Sequence, residues 1–74
     1  MLNKTEFFNK FDDESQESVE LIKKELTRYG NIINIIDSSD VNGEHRVYEI
    51  AYFDHTFKVA MTNGVTTKII GCEQ

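Results

Sequence analysis

RVYEIAYFDHTFKVAMTNGVTTKII, residues 46–70, is the stretch whose reading decides the fold. It holds two β-rich runs, 46–53 and 56–62, on either side of a turn placed at Asp54 and His55. That turn sets Tyr52 against Phe57, Ile50 against Val59 and Tyr48 against Met61. Directly opposed aromatic and β-branched side chains are the stabilising unit of an antiparallel pair. Asn63 and Gly64 follow, and they suit a type I′ hairpin turn, whose two central residues both need φ > 0. Residues 65–70 then form the last strand.

Working outward, residues 31–37 (NIINIID) form the first strand. Isoleucine falls on both of its faces, which predicts burial on both sides. Residues 38–44 read as a polar loop. Upstream, Asp12, Asp13, Glu14 and Ser15 suit a helix start, with capping side chains and negative charge at the positive end of the dipole. The helix is expected over 14–29, with Val19, Ile22, Leu26 and Tyr29 as one stripe, Glu20 four residues before Lys24, and Gly30 as a left-handed stop. Residues 5–11 make a shorter helix in which Phe7 and Phe11 share a face that Leu2 extends. Three phenylalanines so close together belong in a core or an oligomer contact.

The fold expected is α+β, one domain over residues 1–74, with an N-terminal helical part packed on a four-stranded, largely antiparallel sheet. Strand order stays open. The hairpins also have a second face, Val47, Ala51, Phe53, Ala60, Val65 and Ile69. The main helix covers one face only, so the other needs the phenylalanine segment or a second copy, a homodimer.

Size and charge narrow the function. A chain of 74 residues has no room for a large core and a deep substrate pocket together. Cys72 is the single cysteine, which excludes an intrachain disulfide and a cysteine zinc cluster and points to a reducing cytoplasm. The N-terminal residues lack a signal-peptide apolar core, and no apolar run reaches the length of a membrane span. A net charge of −5 disfavours direct contact with nucleic acid or an anionic membrane. It suits a basic protein partner, or simply solubility.

Three constellations bear on chemistry. Asp40, Asn42, Gly43 and Glu49 fall at the third, fifth, sixth and twelfth positions of a calcium loop, but Ser38 stands where the first carboxylate belongs and the flanks are strands. An Asx turn is the plainer reading, and neither metal nor cofactor is expected. His45, His55 and Cys72 offer no placed nucleophile–base pair, with His55 in a solvated turn and Cys72 near the terminus, so the chain is not read as an enzyme. The carboxylates are uneven. Asp12, Asp13, Glu14, Glu17, Glu20 and Glu25 gather on the helix and its start, and Asp37, Asp40, Glu44, Glu49 and Asp54 across the first loop and the next strand. Asp13, Glu17 and Glu20 would form one helical row with a spacing of roughly 5–6 Å. That is the order of phosphate spacing on a nucleic-acid strand. A solvated helix face, partly neutralised by Lys23 and Lys24, is the plainer alternative.

In small size, acidity, a lone cysteine, absent proline and Asn-, Ile- and Lys-rich usage, the chain resembles the small acidic proteins with which bacteriophages disable host machinery. Within that group it is most similar to DNA-mimic inhibitors, including the type that blocks the bacterial nucleoid protein HU. The resemblance covers the whole chain and rests on no motif. It implies a carboxylate surface that docks on a basic, DNA-binding bacterial protein in the host cytoplasm. From the charge reading, the candidate partner-binding residues are Asp12, Asp13, Glu14, Glu17, Glu20, Asp37, Asp40 and Glu44. The alternative is an interaction module that binds through the apolar sheet face around Phe53 and Ile69.

Overall fold

The computed structural model describes the backbone of residues 1–73 and the side chains of residues 1–71. Helices α1 (Lys4–Asp13) and α2 (Gln16–Tyr29) precede strands β1 (Asn31–Asp40), β2 (Gly43–Tyr52), β3 (His55–Thr62) and β4 (Val65–Glu73). The strands form an antiparallel meander in the order β1-β2-β3-β4, and both helices pack on one of its faces. This is the expected α+β arrangement, with the strand order now settled.

Each helix has its own cap. Asn3 and Glu6 form a reciprocal capping box at the start of α1. Ser15 caps α2, accepting from the Ser18 backbone N–H. The main helix therefore begins at Gln16 rather than at residue 14. Glu14 sits between the helices in the left-handed region, at φ 57°, and Asp12 and Asp13 belong to α1. The stop at Gly30 also differs from expectation. Its backbone is extended (φ −77°, ψ 167°), and its N–H closes on the Leu26 carbonyl at 2.9 Å. Glycine is needed there for space: a Cβ would run into Ile50 Cγ2 and the Leu26 carbonyl.

The core is Phe7, Ile22, Leu26, Ile50, Phe57 and Val59, all fully buried. Phe7 stands edge-on to Tyr52, Phe8 and Phe57 at 5.1, 5.2 and 5.4 Å between ring centroids. The phenylalanine segment is thus core. On α2 the stripe holds at Ile22 and Leu26 but frays at Val19, half-buried, and Tyr29, exposed.

In the central hairpin the turn residues are Phe53 and Asp54, at φ 47° and 61°, and not Asp54 and His55. Ile50 therefore opposes Phe57, Tyr48 opposes Val59 and Tyr52 opposes His55. The register differs from the sequence reading by two residues. A slip of one would move every side chain to the wrong face, whereas a slip of two keeps the faces. The left-handed Phe53 is held by its ring, 4.2 Å from Tyr52 and 5.6 Å from Phe7. The next turn, Asn63 and Gly64, is as expected, at φ 50° and 82°.

Strand β4 runs on to Glu73, past the expected end at residue 70; Gln74 lies outside the described residues. A register shift between Ala60 and Met61 sets Ile69 opposite Val59, on the helix side. Ile69 and Phe53 pack against the core and do not belong to the open face. That face has mixed rows, Ile36–Val47–Ala60–Lys68 and Asn34–Glu49–Lys58–Ile70. It is not the apolar surface expected, which removes the stated reason for covering it.

The first hairpin corrects the sequence reading most. Residues 38–40 continue β1, residues 43 and 44 open β2, and the turn is only Val41 and Asn42. β1 lies at the sheet edge and is exposed along its whole length rather than buried on both faces. Double-sided isoleucine implies burial only where both strand faces are covered, and the core beneath the helices draws on β2 and β3.

Candidate functional site

The structure does not bring the eight candidate carboxylates onto one surface. Asp13 ends α1, so Asp13, Glu17 and Glu20 make no single helical row. Its carboxylate accepts from the Ser18 and Ser15 hydroxyls, and those bonds hold its pKa below the usual value. Asp12, Glu14 and Glu17 are exposed around the interhelical junction, Glu20 is half-buried, and Glu25 is buried where it accepts from the Leu2 backbone N–H. Glu14 lies near Ile69 on the β4 side of the sheet, while Asp37 and Asp40 sit on β1, the opposite edge.

Two carboxylates of the second acidic group, Asp37 and Asp40, are paired locally. Arg46 Nε donates to Asp37 at 2.6 Å, which strengthens the hold of the guanidinium on its proton, and Arg46 also reaches the Tyr48 hydroxyl. Asp40 pairs with His45 Nε2 at 2.9 Å and accepts from the Asn42 N–H at 2.8 Å; the first contact is the larger cause of its lowered pKa. Glu44 is tied by its backbone to Asn63, donating to Oδ1 and accepting from the Asn63 N–H. Exposed ion pairs of this kind contribute little to stability.

The calcium-like spacing resolves into the Asx turn of Asp40 and Asn42, while Glu49 turns away to accept from Asn34 Nδ2 at 3.0 Å. Among the described residues no three metal-ligating side chains converge. His55 is not a solvated turn residue: its Nδ1 donates to the Phe53 carbonyl at 2.8 Å, and its ring lies 4.8 Å from that of Phe8. The side chain of Cys72 lies outside the described residues. His45 lies between Asp40 and Thr62, 2.9 and 3.0 Å away. Carboxylate, imidazole and hydroxyl in line activate nucleophiles in some enzymes. Here they join β1, β2 and β3 across the open face.

The feature that sequence reasoning missed is the β1 edge itself. Ile32, Ile33, Ile35 and Ile36 are 43, 52, 49 and 48 % exposed. Such edges are usually blunted with lysine, proline, bulges or charge. β1 has one bulge, between Ile32 and Asn34, but no lysine or proline, and residues 31–36 carry no charge. The opposite edge, β4, carries Lys68. Beside β1, Asp37, Ser39, Arg46, Tyr48 and Met61 line an open groove of about 620 Å³. The signal for this edge was present in the doubled isoleucines, which pointed to burial without saying by what.

No known protein family, curated protein or solved structure matches the chain. No helix among the described residues is long and apolar enough to cross a membrane.

Proposed function

We propose that the chain is a protein-binding module acting in the cytoplasm without catalysis, and that it docks by strand addition along β1. One observation carries this reading: four half-exposed isoleucines on the charge-free stretch, residues 31–36, of an open sheet edge. An extended segment added to such an edge gains backbone hydrogen bonds, and its alternate side chains meet the isoleucines on either face. Apolar clusters of this kind mark interaction sites in soluble proteins.

A second reading keeps mimicry, the inhibition of a basic, DNA-binding bacterial protein by an acidic surface. Exposed Asp12, Glu14 and Glu17 at the helix junction, with the net charge of −5, favour it.

A comparative pull-down from bacterial lysate separates the two. Ile33→Lys with Ile36→Lys abolishes capture if β1 docks, and the captured protein resists salt. Asp12→Asn with Glu14→Gln and Glu17→Gln abolishes it if mimicry holds. In that case capture also fades between about 50 and 500 mM salt, and duplex DNA competes. Capture by the lysine variant at the wild-type level overturns the strand-addition reading.

A further inference from the structure

We infer that the occupant of the β1 edge is the β1 strand of a second copy, so that two meanders join about a two-fold axis into one continuous sheet. This rests on β1 being the docking element and names its partner.

A two-fold interface is self-complementary: where residue i meets j, j meets i. Two antiparallel strands related this way need a sequence that reads alike in both directions. Residues 32–36 are Ile-Ile-Asn-Ile-Ile, a palindrome centred on Asn34. With the axis at Asn34, Ile33 opposes Ile35 of the second copy on either side of the centre. The two Asn34 side chains meet at the centre; each donates to Glu49 and accepts from the Ile35 N–H of its own chain and keeps one N–H and one lone pair for the other. The bulge between Ile32 and Asn34 sets Ile32 on the helix side and Ile36 on the open face, so the matched pairing is the central Ile33–Asn34–Ile35 of each copy.

Charge supports the same register. A protomer with net charge −5 should repel its copy, yet residues 31–36 bring no charge to the seam. Beyond the seam, the acidic end of β1, Asp37 and Asp40, runs towards the second copy's Asn31 and the end of its α2. There Arg28 is exposed, with its guanidinium 5.4 Å from the Tyr29 ring centroid. Opposite charges thus face each other at both ends of the pairing. The β4 edge offers no such match: it carries Lys68, and its sequence VTTKIIGC is not palindromic.

The test uses the purified full chain alone. Light scattering and sedimentation equilibrium should give twice the chain mass. Ile33→Lys with Ile36→Lys should give the single mass with an unchanged circular dichroism spectrum. Arg28→Glu should weaken the dimer at least tenfold, and Lys68→Glu should not. In a Cys72→Ser background, Asn34→Cys should oxidise to a covalent dimer, because directly opposed strand residues lie close to disulfide reach. Val65→Cys should form no covalent dimer. A single-chain mass at a chain concentration of about 1 mM, where a dimer of millimolar Kd would already be substantially formed, overturns the inference. So does cross-linking at Val65→Cys in place of Asn34→Cys. If the wild type is monomeric but the lysine variant still loses its lysate partner, self-association fails and docking at β1 stands. If the lysine variant changes neither mass nor capture, both fail.

Discussion

Gly30 and Gly64 are both glycine, for different reasons. Gly30 has an ordinary extended backbone and no space, so Gly30→Ala forces Ile50 or the α2 end to move. The expected cost is that of overpacking, about 1–3 kcal/mol in urea unfolding. Gly64 has open space and φ 82°, so Gly64→Ala should cost only left-handed strain, about 1–2 kcal/mol, without disturbing Ile50. A methyl shift of Ile50 in the Gly30 variant alone would distinguish the two. The titrating residues pull in opposite directions. Asp13 and Asp40 have folded pKa values below their unfolded ones, through the Ser18 and His45 contacts respectively. Their contribution is present above about pH 4 and is lost as the pH falls through the folded values. Tyr52 is raised, first by burial and then by the Glu25 carboxylate. Its contribution is present up to about pH 10 and is lost above it. Asp13→Asn should flatten the acid limb of a stability–pH curve, and Tyr52→Phe the alkaline limb. An unchanged acid limb in Asp13→Asn would show that the serine contacts do not persist in solution.

At the scale of elements, the β2–β3 hairpin shows how far pattern alone reaches. Alternation identified Tyr48, Ile50, Tyr52, Phe57, Val59 and Met61 as one face, and all six lie on the helix side. Which of them oppose each other depended on the turn, and the turn depended on Phe53 accepting φ 47°. Propensity disfavours an aromatic there. The aromatic cluster around Phe7 supplies the compensation, from residues 46 positions upstream, beyond the reach of any local reading. Cross-strand contacts should therefore link Ile50 to Phe57 and Tyr48 to Val59. Nuclear Overhauser effects linking Ile50 to Val59 as the directly opposed pair would restore the other register. Ile50→Ala should cost about 2–5 kcal/mol, as usual for a buried isoleucine. Val65, exposed in the β4 edge, should lose less than about 0.5 kcal/mol on truncation to alanine.

For the whole molecule, the arrangement leaves one helix-covered face, one mixed open face and two unequal edges. The carboxylates divide between the helix junction and β1, on opposite sides of the sheet. An extended acidic surface is harder to build from that division than from a single helical row. Dispersed charge still steers encounter, so salt should change the association rate of a basic partner more than its dissociation rate. If mimicry were the mechanism, dissociation would also accelerate steeply as salt rises, which stopped-flow measurements would show.

The sequence by itself determined the order of the elements and the shared face of the β2–β3 hairpin. Ser15 and the Asn63–Gly64 turn act through atoms within a few residues, so local spacing was enough to place the helices and the last two hairpins near their true bounds. It did not locate the start of α2, because Ser15 and the Asp12–Glu14 run offered competing caps. Tertiary structure chose between them through Glu14 at φ 57°. Only tertiary structure decided that β1 lies at the edge, that Phe53 and Ile69 turn inward, and that the acidic row does not exist. A strand's own residues specify which side chains share a face, but its exposure depends on how many neighbours it has. That number is a property of the assembled sheet.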